Sequence, residues 1–392
     1  MGALDGLKVI DLTQRLPGPF CTMLLADMGA DVVQVESAAG DAARTLAVGE
    51  AAQGAAYELL GRNKRSVVLN LKSDDGREAC LRLIAAADVV VEGFRPGVAA
   101  RLGIDYEAAR SRNAQIVYCS ISGYGQDGPY RDQAGHDLNY LGIAGVLDMT
   151  RGGDGQPAIP GIQIADIGAG ALSAAVAVLA ATLHRRRTGQ GQFVDVAMLD
   201  GLVSMLSIHA MTVLAGGPSP TGGRALLSGG HPCYAVYPTF DGHLTVGCTE
   251  PHFWRNFCAF LGREDLTPQM WAEGERSRAV QAQIAAVLRT RPSAQWLEDL
   301  ATVDTCVGPV NSVAQALADR QVVHRAMVRR AGIDGETGPA QLGPPFRMSA
   351  TPMEIRRRAP RLGEHTRSVL ASVGYSDERI DDMRKAGAIG GE

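Results

Sequence analysis

Leu7-Lys8-Val9-Ile10-Asp11-Leu12 is followed by an apolar, helix-forming stretch at residues 18–28 and then by Asp31-Val32-Val33-Gln34-Val35. Short β-rich runs on either side of a helical pattern form a βαβ unit, with both strands in a parallel sheet. A second cycle repeats the plan. Residues 77–87 are patterned as a helix, Asp88-Val89-Val90-Val91-Glu92 as a buried strand, and Gln115-Ile116-Val117-Tyr118-Cys119-Ser120-Ile121 as another. Loops after such strands are where open α/β sheets place ligands.

A long helix is expected from Asp166 to about Arg187, where His184-Arg185-Arg186-Arg187 places positive charge at its C-terminal end and Gly189 stops it. Its uncharged part, residues 167–183, falls short of the roughly 20 residues a membrane span needs. Rich in Ala and Gly, it reads as a helix buried between protein layers. Residues 192–196 return as a strand and 199–214 as a helix, after which Gly216-Gly217-Pro218-Ser219-Pro220-Thr221-Gly222-Gly223 marks a domain boundary. Beyond it, Asp241-Gly242 joins two strand-like runs into a hairpin, and amphipathic stretches near 253–261, 277–289 and 294–300 make this part α+β. Residues 338–352 form a Pro/Gly-rich crossing segment and 366–388 a helical tail. The expected architecture is a large Rossmann-like α/β domain at 1–215, a smaller α+β domain at 216–337 and a C-terminal segment at 338–392.

With 38 basic and 42 acidic residues, the formal charge of -4 argues against a general nucleic-acid binder, so any anionic ligand must be held by a local cluster. The seven cysteines show neither a CxxC pair nor a disulfide framework and read as reduced core thiols. The N-terminus lacks the basic and apolar regions of a signal peptide, which leads us to expect a cytoplasmic protein that needs no membrane. Neither a Walker A motif nor a complete GxGxxG follows the first strand, where the chain reads Arg15-Leu16-Pro17-Gly18-Pro19, so NAD and ATP are disfavoured. His231, His243 and His252 follow no zinc spacing, and no metal is expected.

The side chains with chemistry to offer are few. His136, in Gly135-His136-Asp137-Leu138-Asn139-Tyr140, either caps a helix, satisfies a core hydrogen bond or serves as an acid/base. Asp166 is either a helix N-cap or a functional carboxylate, and in the second case a proton shuttle or a nucleophile. A shuttle gains from burial that raises its pKa, whereas a nucleophile must be ionised. Glu250, ahead of Pro251, fits first-turn charge on a helix dipole. The best local anion sites are Arg62-Asn63-Lys64-Arg65-Ser66 and Phe94-Arg95-Pro96-Gly97, since Arg holds phosphate bidentately and stacks on an aromatic base.

These residues, with Gly18-Pro19, Ala26-Asp27-Met28-Gly29-Ala30-Asp31-Val32-Val33, Leu69-Asn70-Leu71-Lys72, Gly123-Tyr124-Gly125-Gln126-Asp127-Gly128-Pro129 and Arg187-Thr188-Gly189-Gln190-Gly191-Gln192, carry a resemblance over nearly the whole chain. The sequence resembles the family III CoA-transferase superfamily, and within it the α-methylacyl-CoA racemases. Transferases of the superfamily use an aspartate at the position of Asp166 as a nucleophile and generally lack the histidine. Racemases have the Gly-His-Asp-x-Asn-Tyr pattern, with the histidine and aspartate as two bases and a Glu-Pro acid, here Glu250, that orients the histidine.

The resemblance implies inversion of the α-carbon of 2-methyl-branched acyl-CoA thioesters by 1,1-proton transfer through an enolate. The alternative it implies is CoA transfer between carboxylic acids through a thioester on Asp166. CoA would enter as part of the substrate, with no permanently bound cofactor. Asn63, Lys64, Arg65, Phe94 and Arg95 would lie near its phosphates or adenine, and Gly135, Asp137 and Tyr140 along the pantetheine path. The implied fold is an interlocked homodimer, each active site built from one subunit's large domain and the partner's small domain, with the C-terminal tail returning to the large domain. Two departures stand out: Glu36-Ser37 replaces a basic residue after the second strand, and His231-Pro232-Cys233-Tyr234 implies an altered acyl pocket.

Overall fold

Six parallel strands, β1 (Lys8–Leu12), β2 (Asp31–Glu36), β3 (Lys64–Leu69), β4 (Val89–Glu92), β5 (Val117–Ser122) and β6 (Gln192–Ala197), form the central sheet in the order 3-2-1-4-5-6. This computed structural model describes residues 2–46, 53–152, 154–333 and 336–391. The order is that of a doubly wound Rossmann sheet, whose strand direction of travel reverses between β1 and β4. The remaining strands are β7 (Tyr234–Pro238), β8 (His243–Gly247), β9 (Val307–Pro309), β10 (Val328–Ile333), β11 (Glu336–Leu342) and β12 (Ile389–Gly390).

Alternation along the buried strands sends side chains to two cores. Val9, Val32, Val89, Val91 and Val117 meet Leu24 and Leu25 of the helix Pro17–Asp27 and Ala174 and Val178 of the helix Ser173–Thr188. Ile10, Val33, Val67, Val90 and Tyr118 meet Ile84 of the helix Asp74–Ala85 and Leu370 and Met383 of the C-terminal helices. Burial on both faces explains why these strands lack polar alternation.

Two compact units emerge. The first holds residues 1–143, 162–205 and 321–392, and the second 144–161 and 206–320. These limits differ from the expected 215/216 and 337/338. The helical run at 199–214 is broken into Met198–Met205 and Ser207–Leu214, with Ser207 at a φ of 27°, and its second half belongs to the smaller unit. That unit contains the antiparallel sheet β7-β8-β9, whose β7–β8 hairpin turns at Asp241-Gly242, packed on helices that bury Trp254, Phe257, Ile284 and Trp296. The C-terminal segment does return to the large unit, where β12 pairs antiparallel with β3. Instead of one helical tail it forms the helices Thr366–Ser372 and Asp377–Lys385 before that strand.

The helical run from Ile164 to Thr188 is longer than its sequence implied. At 25 residues it is long and apolar enough to cross a membrane by length and composition, yet 44% of its most apolar window is buried inside the protein.

Residues 62–65, expected as a local anion site, are tied to carboxylates of the fold. Arg62, Asn63 and Lys64 are buried. Arg62 is held by Asp27, and Asn63 ties Asp27 to the backbone of Glu354, Arg356 and Arg357. The Lys64 amine donates to Asp11 Oδ2 at 3.0 Å, Thr22 Oγ1 at 2.7 Å and the Pro19 carbonyl at 3.1 Å. These three bonds use all of its protons. Arg65 pairs with Asp31 through two bonds, at 2.6 and 3.0 Å. Asn63 and Lys64 thus have their polar groups engaged inside the protein, while Arg65 is partly exposed and bonds Asp31 through Nε and Nη2. Glu36 is likewise internal, bonded to Arg44, Ser66 and the Asp41 N–H.

Removing one partner of a buried ion pair strands the other charge, at a cost of roughly 3–5 kcal/mol. Lys64→Met should lower unfolding stability by about that amount in denaturant titration; a loss under roughly 1 kcal/mol, the level of a surface pair, would show that Asp11 does not depend on it.

Candidate active site

A cavity of about 410 Å³ opens beyond the carboxyl ends of β1, β4 and β5, where the switch in strand order leaves room between adjacent loops. Thr13, Gln14, Arg15 and Gly18 line it after β1, Gly93, Phe94, Arg95 and Pro96 after β4, and Ser122, Gly123 and Tyr124 after β5. His136, Asn139, Tyr140 and Asp166 complete the wall. A separate cavity in the smaller unit, of about 620 Å³, is lined by neither a histidine nor a carboxylate, so it offers no comparable acid/base pair.

The first wall depends on close packing. A Cβ on Gly18 would lie 2.2 Å from the Thr13 Cβ, so only glycine lets the helix Pro17–Asp27 start this near β1. Thr13 is itself anchored, its hydroxyl and backbone N–H both donating to Asp11 Oδ1.

His136 immediately precedes the helix Asp137–Ile143, and the chain there is closed reciprocally. The His136 N–H donates to Asn139 Oδ1 at 3.0 Å, and the Asn139 N–H donates to the His136 carbonyl at 2.8 Å. Its imidazole is exposed rather than bonded in the core. Tyr140 donates its hydroxyl to the Gly135 carbonyl at 2.6 Å, and a Cβ on Gly123 or Gly135 would strike its ring. Burial first, then the charges of Tyr124 and Asp166, push the Tyr140 hydroxyl up to about 12, with Arg95 opposing them.

Asp166 sits in the first turn of a π-helical segment, Ile164–Leu172, that continues into the α-helix Ser173–Thr188. Single π turns within helices recur at functional sites. Asp166 does not cap this helix. Asp137 does, its Oδ1 accepting the N–H groups of Ala165 at 2.7 Å and Asp166 at 3.2 Å. The Asp166 carboxyl is left half-buried and free to face the cavity. Burial first, then the negative charge of Asp137, push it up to about 6, while His136 acts in the opposite direction.

Of the expected site residues, the structure gathers Phe94, Arg95, Gly135, His136, Tyr140 and Asp166 around one cavity. Asp137 is not among the lining residues; its Oδ1 accepts the two cap amides. Glu250 belongs to the smaller unit, at the N-terminal end of the helix Pro251–Phe260, and accepts the Thr249 hydroxyl at 3.0 Å. His231, also there, is buried, with its Nδ1 3.2 Å from the Ala272 carbonyl. Sequence reasoning missed the first wall, Thr13 to Gly18, along with Tyr124, Arg131 and Asn139. The signal for that wall was the strand order, since the loop after β1 flanks the switch point. Among the described residues, no group of three His, Cys, Asp or Glu is placed to hold a metal.

Comparison with known proteins gives the family. The family model described as CoA-transferase family III matches residues 4–366. A succinate–glutarate CoA-transferase from Agrobacterium fabrum is 36% identical, over 94% of this chain and 95% of that protein. The α-methylacyl-CoA racemase of Mus musculus is 35% identical over 96% and 95%. Among solved structures, a CAIB/BAIF family protein from Brucella suis superposes with a TM-score of 0.82 at 33% identity, covering 95% of this chain and 99% of that one. With its parallel α/β sheet, its cavity at the switch point and a match along nearly its whole length, this chain belongs to CoA-transferase family III.

Proposed function

We propose that this enzyme is an acyl-CoA racemase that inverts the α-carbon of 2-methyl-branched acyl-CoA thioesters. The observation that carries the reading is the pairing of His136 and Asp166 on one cavity, with the aspartyl carboxyl raised to about 6. Near neutrality such a group both takes and returns a proton, as acid/base work requires. In one direction the Asp166 carboxylate removes the α-proton, the C–H electron pair moves into the thioester carbonyl as an enolate, and protonated His136 delivers a proton to the opposite face. For the other hand of substrate the two exchange roles. The bases then re-equilibrate with water, so solvent hydrogen enters the product.

CoA is substrate in this scheme, and no permanently bound cofactor is required. Arg95 and Phe94 are assigned its phosphates and adenine, and Gly135 and Tyr140 its pantetheine arm. Glu250 is assigned the orientation of His136, following the racemase pattern. A homodimer is supported by Leu172, Val176 and Leu183, which are 44%, 68% and 59% exposed on one continuous helix. Their spacing puts Val176 and Leu183 on a single apolar stripe.

A second reading has its own support: the relatives include enzymes named as CoA-transferases, for succinate and glutarate and for succinyl-CoA and mesaconate. In that reading the Asp166 carboxylate attacks the thioester carbonyl and expels the CoA thiolate, leaving an acyl–aspartyl anhydride. The thiolate then attacks the aspartyl carbonyl and releases the first acid as its carboxylate, leaving CoA on Asp166 until an acceptor carboxylate takes it by the reverse steps.

The racemase reading predicts that deuterium from solvent enters the α-position of a 2-methylacyl-CoA with no acceptor acid present. His136→Ala should slow this exchange by on the order of 10²–10⁴-fold while leaving CoA affinity intact. No exchange over a panel of such thioesters, with an Asp166 thioester trapped by hydroxylamine instead, would favour the transferase. Where Asp166 acts as the base, kcat/KM should rise with pH through about 6, because only the ionised carboxylate takes a proton. Asp137→Asn removes one of the charges that raise this pKa while keeping an oxygen for the cap; the acidic limb should move to lower pH, and an unmoved limb would refute the Asp137 effect. In sedimentation, the protein should run at twice its chain mass, and Val176→Glu should shift it toward the monomer; a monomeric wild-type protein would overturn the dimer.

A further inference from the structure

Glu92 ends β4 and is 3% exposed, in a place the reaction scheme does not use. Both of its carboxylate oxygens are engaged. Oε1 accepts the Ser120 hydroxyl from β5, and Oε2 accepts the Phe94 N–H at 2.6 Å. The second bond is short for an amide donor, as expected when the acceptor is charged. It lands on the backbone of the loop whose Gly93, Phe94, Arg95 and Pro96 line the cavity.

We propose that Glu92 is a positioning residue for this loop, its carboxylate fixing the Phe94 N–H so that Phe94 and Arg95 are presented to CoA. The proposal rests on the reading of the cavity as a CoA site. Glu92 itself does not line the cavity, so its effect passes through the loop.

The surroundings make the anchor sensitive to pH. Leu12 of β1 is the register neighbour on one side and Ser120 on the other, with Asp195 of β6 opposite Ser120. The nearby Tyr118 and Cys119 of β5 are held neutral, burial raising both groups well above their ordinary values. Arg95 is the cation of the loop itself, and Asp195 is occupied with the Gln126 N–H at 3.0 Å. Burial, joined by the charge of Asp195 and opposed by the bonds from Ser120 and Phe94, pushes Glu92 up to about 7. Above that pH the carboxylate accepts both donors. As pH falls through about 7 it gains a proton, and the charge-assisted bond to Phe94 becomes an ordinary one.

The test compares the full-length protein with Glu92→Gln, Ser120→Ala and, as a control on the CoA reading, Arg95→Ala. Glu92→Gln keeps the shape of the side chain without its charge, and Ser120→Ala removes only the strand-side bond. Hydrogen exchange followed by mass spectrometry reads the loop, and calorimetric titration with free CoA reads the site, each across the neutral pH range. Above neutrality, Glu92→Gln should speed exchange in the Phe94 segment and weaken CoA binding roughly tenfold, the worth of one bond to a charged group. The wild-type advantage should shrink as pH falls through about 7. Titration of the CoA phosphate is common to both proteins and cancels in the ratio. Ser120→Ala should give a smaller change of the same sign, and in turnover the loss should appear in KM more than in kcat. Unchanged loop exchange in Glu92→Gln at every pH overturns the positioning role. Faster loop exchange with no CoA binding by wild type, and no effect of Arg95→Ala, overturns the CoA reading while leaving Glu92 as the loop's anchor.

Discussion

One oxygen of Asp137 accepts the backbone N–H groups of Ala165 and Asp166, and the site depends on that contact. The first amides of a helix have no partner within it, and they carry the positive end of its dipole. An anionic cap from a separate helix satisfies them and fixes the segment that holds His136 against the segment that holds Asp166. Burial first, and then this same charge, raise the Asp166 carboxyl, so Asp137 contributes to both its position and its proton affinity. Had Asp166 served as its own helix cap, its oxygens would face the backbone rather than the cavity.

Beneath this pair the sheet supplies rigid ground. Strand order 3-2-1-4-5-6 separates the loops after β1 and β4, and the cavity forms between them. Polar groups at the strand ends brace the loops from below. Asp11 holds Thr13 and is neutralised by Lys64, Glu92 holds Phe94, and Asp195 holds Gln126. Asp11 and Glu92 are carboxylates taken out of water, which is tolerated only where donors converge on them, whereas Asp195 stays exposed. All three lie where a loop lining or flanking the cavity leaves its strand.

Much of this was legible from the residues. The βαβ cycles appear because both faces of the sheet are buried, so their strands are apolar runs that punctuation isolates. Phe94, Arg95, His136, Tyr140 and Asp166 stand in motifs between such elements, and the cavity gathers them. Less legible was anything decided by a distant partner. Strand β3 begins with Lys64 and Arg65, which read as part of an anion site before their pairing with Asp11 and Asp31 is seen. Asp137 follows His136 and looks like a ligand group, yet its Oδ1 serves amides 28 and 29 residues away. The limit of the compact units differs from the expected one, since a Gly/Pro-rich run is easier to see than the break at Ser207 inside a continuous apolar pattern.

The two chemistries open to this family make different demands on Asp166. A nucleophile must be ionised and must reach the carbonyl carbon, and partial burial beside another carboxylate works against ionisation. A proton shuttle is helped by the same surroundings, since a carboxyl near 6 holds a proton for a useful fraction of the time at neutral pH. His136 adds a second acid/base group on the same cavity, which a covalent route through Asp166 does not need. A carboxyl near 6 is still mostly ionised at neutral pH, so its charge alone does not exclude a covalent route; the second acid/base group, His136, is what weighs toward proton exchange.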